Sequence, residues 1–317
     1  MSLDPVLAGL LDALPKNIDL PVDWVAMRAQ SKQMLPHFVG ANGVMPVAAV
    51  EEVDITDTLQ ARVYRPAAPT RLTMIHLHGG GWSGGDLDTV DHTVRVFCNA
   101  MPAVVVSCTY RLAPEHPFPA AFDDALAATR WALQHVAELG GDPQEIVIAG
   151  DSAGGNLVAA VTLALRDEAR SAGKTHQPVL SRLKAQLLLY PAVDLRPTAW
   201  ETPSYSADRD PALSTLMLHE CENSYVQGQD ASNWRISPLA AEDLSDLPPA
   251  LVVVLSVDPL RDQAVAYAER LRAAGVSSEL MEFSHLTHGF MHIRGMVPAA
   301  AKTFDEVVAR FRSMLSS

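Results

Sequence analysis

The sequence predicts an α/β protein: a largely parallel sheet with helices packed on both faces. Three observations carry that reading. Five short apolar runs, at residues 73–77, 103–106, 146–148, 185–189 and 251–255, have no polar alternation. Strands of that kind are buried on both faces, as in parallel sheets. Helical patterns lie between most of these runs, which is the alternation that crossover connections require. Finally, Gly150-Asp151-Ser152-Ala153-Gly154 stands between the apolar run 146–149 and the long apolar stretch 156–165, which contains no Gly or Pro. This reads as a sharp strand-to-helix turn with a serine at its tip.

In chain order, residues 1–45 carry Pro5, Pro15, Pro21 and Pro36 between short helical patterns, the clearest over 23–37. This segment is expected to lie outside the sheet. Residues 47–53 and 59–64 follow, joined by the polar turn of Asp54, Thr56 and Asp57, and they predict an antiparallel pair at the sheet edge. A helix over 122–139 ends at Gly140-Gly141, and another over 262–274 ends at Gly275. A last strand is expected at 279–283. Pro298 then opens a C-terminal helix with Phe304, Val307, Val308 and Phe311 on one face. One segment breaks the alternation. Residues 197–234 hold no strong strand, are polar and aromatic, and show helical spacing over 214–225; so long a departure in a compact α/β domain is usually functional.

Composition bounds the function. The chain has 317 residues, 48% of them hydrophobic, enough for one large domain. A formal charge of −13 argues against nucleic acid or an anionic membrane as partner. Cys98, Cys108 and Cys221 are widely spaced and form neither a zinc pattern nor a disulfide framework, so no metal is expected. No run approaches the roughly 18 apolar residues of a membrane span. The first 20 residues have no basic leader before their apolar stretch, and a cytoplasmic location is expected.

A serine nucleophile needs a base, and the base needs an orienting carboxylate. In an open parallel sheet such groups gather beyond the carboxyl ends of strands. After 251–255 come Asp258 and Asp262; after 279–283 come His285, His288 and His292. Asp258 is favoured because it lies nearest the strand end, whereas Asp262 sits where a helix cap would. His288 is favoured because Gly289 lets its loop turn tightly. The negative oxygen of a tetrahedral intermediate needs backbone N–H donors. Ala153 supplies one at the helix N-terminus, and Gly79 and Gly80 of His78-Gly79-Gly80-Gly81-Trp82 are expected to supply the others.

Taken together, His78-Gly79-Gly80-Gly81, the stretch from Tyr110 to Ala120, the elbow at 150–154, Asp258-Pro259-Leu260-Arg261-Asp262 and His288-Gly289-Phe290 resemble the microbial hormone-sensitive-lipase-like esterases, in the branch with Asp before the nucleophile. The resemblance implies an α/β-hydrolase fold with an eight-stranded mixed sheet, a catalytic domain over 46–317, and a cap built from 1–45 and about 197–234. It implies hydrolysis of short- to medium-chain carboxylic esters by Ser152, Asp258 and His288, without metal or cofactor. It also implies a possible homodimer through the last strand. Arg111 and Glu115 are expected in ion pairs that lock their loop, and Asp151 as a loop-fixing acceptor. Trp82, Asp151, Met34, Phe38, Met217 and Leu286 are expected around the substrate. An amidase or deacylase with the same triad, or a non-catalytic binding protein on the same scaffold, are the alternatives.

Overall fold

The computed structural model describes residues 3–13, 20–40, 43–171 and 182–316. The expected N-terminal segment is thus described except at 1–2, 14–19 and 41–42. Eight strands run β1 (Ala49–Asp54), β2 (Gln60–Arg65), β3 (Thr73–Leu77), β4 (Val104–Cys108), β5 (Ile146–Asp151), β6 (Leu183–Leu189), β7 (Ala250–Leu255) and β8 (Ser278–Phe283). They form one sheet in the order β1-β2-β4-β3-β5-β6-β7-β8. β1 and β2 pair antiparallel, as does β2 with β4; all other pairs are parallel. Every expected strand is present, with ends shifted by up to three residues.

The lack of polar alternation has a direct cause. Ile75, Leu77, Ile146 and Ile148 point into one apolar layer, while Met74, Val147 and Ala149 point into the other. Successive side chains face opposite sides, so a sheet covered on both sides needs apolar residues at every position. The first layer is closed by α4 (Ala120–His135), α5 (Ala153–Ser171) and α8 (Arg261–Ala273). The second is closed by α3 (Leu87–Ala100) and α9 (Pro298–Leu315), with α1 (Pro5–Asp12) adding Leu7 and Leu11. α4 ends four residues before Leu139; the chain then runs through turns closed by Gly141 N–H donating to Val136 O at 2.9 Å. β8 is the terminal strand on its side of the sheet.

Two further helices lie off this sandwich. α2 (Trp24–Val39) starts at Asp23, whose carboxylate accepts Ala26 N–H at 2.9 Å. Beyond β6, the short helix α6 (Pro203–Ser206) and α7 (Thr215–Val226) fill the segment that broke the sequence pattern. Ser214 caps α7 by accepting Met217 N–H. Among the described residues no helix is long and apolar enough to cross a membrane.

Candidate active site

Ser152 sits between β5 and α5 with φ of 52°, a left-handed conformation unusual for a residue with a Cβ. The turn is tight enough to dictate its glycines. A Cβ on Gly150 would lie 2.4 Å from Gly154 O, and one on Gly154 would lie 2.1 Å from Leu77 O. The turn is held by Ser152 N–H donating to Leu189 O and by Asn156 N–H donating to Ser152 O.

His288 and Asp258 arrive from the ends of β8 and β7. The Ser152 hydroxyl and His288 Nε2 are 2.9 Å apart, and His288 Nδ1 lies 2.8 Å from Asp258 Oδ2. Asp258 is 1% exposed, and its other oxygen accepts Leu260 N–H at 2.8 Å. An ionised carboxylate can only accept, so Nδ1 carries the proton and Nε2 is free to take one from Ser152. Burial alone would depress the imidazole. The charge and hydrogen bond of Asp258, with the charges of Asp210 and Asp151, outweigh it and hold His288 above its ordinary value. The Tyr190 ring packs against the imidazole at 4.6 Å.

The glycine loop after β3 corrects one expectation. Gly79 N–H donates to Asp151 Oδ1 at 3.0 Å, so this amide is already committed. Gly80, Gly81 and Ala153 N–H have no protein acceptor among the described residues. The loop turns through Gly80 (φ 122°) and Gly81 (φ 59°), with Gly80 O accepting Gly84 N–H at 2.7 Å. Gly81 rather than Gly79 is the second free loop amide. Asp151 is the loop-fixing acceptor that the sequence suggested. Burial opposes its ionisation, but His292, whose Nε2 lies 3.1 Å from Asp151 Oδ2, leads the groups that hold it below its usual range.

A cavity of about 380 Å³ opens over Ser152 and His288. Phe38, Met217, Trp82 and Asp151 line it, joined by Trp24, Met27, Leu35 and Leu213. Met34 does not line it: one step along α2, Leu35 takes that place. Leu286 is fully buried in the core on the α3/α9 side of the sheet, not on the cavity wall. His285 faces Thr303, away from the serine. Asp262 accepts Ser204 N–H at the start of α8. Arg111 and Glu115 are both ion-paired, each to a different element. Arg111 forks onto Asp124 of α4. Glu115 pairs with Arg28 of α2, with its side chain 45% exposed.

Sequence reasoning missed Arg28, Asp210 and Tyr190. Arg28 Nε donates to Ser83 O and Nη2 to Ala113 O, both at 2.7 Å, tying α2 to the glycine loop. Asp210 Oδ2 accepts the backbone N–H of His288 at 2.7 Å. None of the three stands in a local pattern that marks it.

The family described by the α/β-hydrolase fold matches residues 74–292. The chain belongs to this family, in its hormone-sensitive-lipase-like branch. It is 37% identical over 326 residues to "Carboxylesterase NlhH" of Mycobacterium tuberculosis, covering 99% of this chain and 96% of that protein. It is 36% identical over 298 residues to an "Arylesterase" of Saccharolobus solfataricus, covering 92% and 93%. Among solved structures, a hyperthermophilic esterase from the archaeon Pyrobaculum calidifontis aligns with a TM-score of 0.88 at 36% identity over all of both chains.

Proposed function

We propose that the protein is a serine carboxylesterase acting on short- to medium-chain acyl esters. The observation that carries this reading is the unbroken hydrogen-bonded chain Ser152–His288–Asp258 beside three free backbone N–H groups. Carboxylic-ester hydrolysis is also what the names of its relatives specify.

In this mechanism Ser152 Oγ attacks the ester carbonyl carbon as His288 Nε2 takes its proton. The oxyanion is held by Gly80, Gly81 and Ala153 N–H at the N-terminus of α5. Asp258 stabilises the imidazolium, which then protonates the leaving alkoxide. An acyl-enzyme remains. His288 next draws a proton from water, the hydroxide attacks the acyl carbon, and Ser152 recovers its proton as the acid leaves. The largely apolar cavity wall of Trp24, Met27, Leu35, Phe38 and Met217 fits an uncharged acyl or alcohol group. Residues 1–45 and about 197–234 act as the cap, since α2 and α7 supply much of that wall. The rest of 46–317 is the catalytic domain. Three free, buried cysteines fit a reducing cytoplasmic compartment.

The test is turnover of p-nitrophenyl butyrate by Ser152→Ala. Activity should fall by about 10⁴-fold or more with the fold intact. Retained turnover in that variant would overturn the assignment.

A further inference from the structure

The segment between β6 and β7 reaches the histidine itself. Asp210, in the turn before α7, is 3% exposed. Both carboxylate oxygens are used: Oδ2 accepts His288 N–H at 2.7 Å, and Oδ1 accepts Ala212 N–H at 2.8 Å. No Lys or Arg pairs with it among the described residues; its neighbour Arg209 is exposed.

Resting on the roles given above to Ser152 and His288, we propose that Asp210 is a positioning residue for ester hydrolysis. It fixes the main chain of the histidine and adds a second negative charge beside the imidazole, so the base is set only when the 197–234 segment is seated.

A loop tie alone needs only neutral acceptors. A buried carboxylate with no cation is costly, and here it faces a second carboxylate, Asp258. Burial and then Asp258 push Asp210 up to about 6, opposed by the hydrogen bond and charge of His288. The arrangement becomes favourable when a positive charge appears between the two acids. That charge is the imidazolium formed as Ser152 attacks. The groups facing His288 are Asp258 from the β7–α8 loop, Asp210 from the insertion and Asp151 at the end of β5, all three acidic, with the neutral Tyr190 ring beside them. Two of these acids hold the residue directly, one through Nδ1 and the other through the backbone.

The sign follows. A neutral residue at 210 removes a charge that favours protonated His288, so the imidazole becomes less basic. The acid limb of kcat/KM then moves to lower pH, and it becomes shallower because one of two coupled protons is gone. On the plateau kcat falls, because the imidazolium in the transition state is less stabilised.

The experiment measures kcat and kcat/KM for p-nitrophenyl butyrate against pH in wild type, Asp210→Asn and Asp210→Glu. Competent sites are counted by burst titration with a phosphonate ester. In Asp210→Asn the acid limb should move down by about half to one pH unit. Plateau kcat should drop about 10-fold with KM much less affected. Asp210→Glu should bring the acid limb back toward its wild-type position. An acid limb unmoved in Asp210→Asn overturns the proposal. So does failure of both Asp210→Asn and Asp210→Glu to fold, which would make the residue a structural tie. Turnover that survives in Ser152→Ala would instead overturn the esterase assignment, and that is read separately.

Discussion

Glu222 makes the stability of α7 depend on pH. It is 2% exposed on the side of α7 that packs against Trp200 and Tyr205. Oε2 accepts Trp200 Nε1–H at 2.8 Å, and the Tyr205 side chain also acts on the carboxylate. Burial pushes the carboxyl from its ordinary 4.5 up to about 8, against the downward pull of Trp200 and Tyr205 and with Asp194 adding repulsion. The folded state therefore keeps a proton that the unfolded chain releases. The stability this contributes is fully present below about pH 4.5 and is lost as pH rises through about 8. At about 1.4 kcal/mol per pH unit of separation, the ceiling is about 5 kcal/mol, or about 2 kcal/mol if α7 shifts enough to wet the ionised group.

Glu222→Gln keeps an acceptor for Trp200 and removes the titration. At about 2 °C per kcal/mol, it should melt about 4–10 °C above wild type in alkaline buffer. Near pH 4 the two should melt within about 1 °C of each other, because Glu222 is then mostly uncharged in both the folded and the unfolded chain. Scanning calorimetry at about pH 4 and about pH 9 measures this directly. An equal difference in Tm at both pH values would refute the reasoning. The consequence reaches the cavity, because Met217, Leu218 and Cys221 on α7 line it. Cys221 also packs against the glycine loop, where a Cβ on Gly81 would lie 2.4 Å from its Sγ. Alkaline loosening of α7 should therefore raise KM before the protein unfolds.

Two other variants probe the site. Arg28→Ala removes four hydrogen bonds between α2 and the loops at 83 and 113–115; steady-state kinetics should show KM raised about 10-fold with a smaller loss in kcat. Arg28→Lys should not restore it, because an ammonium cannot reproduce the guanidinium fork. Asp258→Asn should lower kcat by about 10⁴-fold with the fold intact, since the amide no longer fixes the imidazole tautomer; near-normal kcat would remove Asp258 from its role.

What the sequence made legible is what short-range physics determines. The strands were readable because a doubly covered sheet demands unbroken apolar runs. The elbow was readable because close backbone approach admits only glycine at 150 and 154. Errors came where the answer depends on orientation. Three consecutive glycines all carry amides, and only the placement of Asp151 shows that the first is already bonded. Met34 and Leu35 are adjacent on α2, and which one faces the cavity depends on how the helix rolls on its neighbours. Leu286 is one residue among many that could turn to core or cavity, and it turns to core. Arg28 and Asp210 were beyond reach for another reason. Their partners lie 87 and 78 residues away, and no local pattern records a contact at that separation.

The two parts of the site are therefore held by different forces. Ser152, the glycine loop and Asp258 grow from strand ends whose backbones are bonded into the sheet, and the loop is tied further by the Asp151 carboxylate. The covering segments are held by groups that ionise. Arg28 holds Glu115 down at about 2, so α2 stays latched across the neutral range. Asp210 gains its charge above about 6, and Glu222 keeps its proton below about 8. Below about 6 the histidine loses the second carboxylate, and His288, held above its ordinary value, is already protonated. Above about 8, α7 carries a buried charge without a cation. Under the roles proposed above, the working interval thus opens as His288 loses its proton and closes as Glu222 ionises. The insertion bears on both limits, through Asp210 beside His288 and through Glu222 on α7. Exchanging the insertion's acids while leaving the strand-end residues untouched would widen or shift the working range with the same chemistry at Ser152.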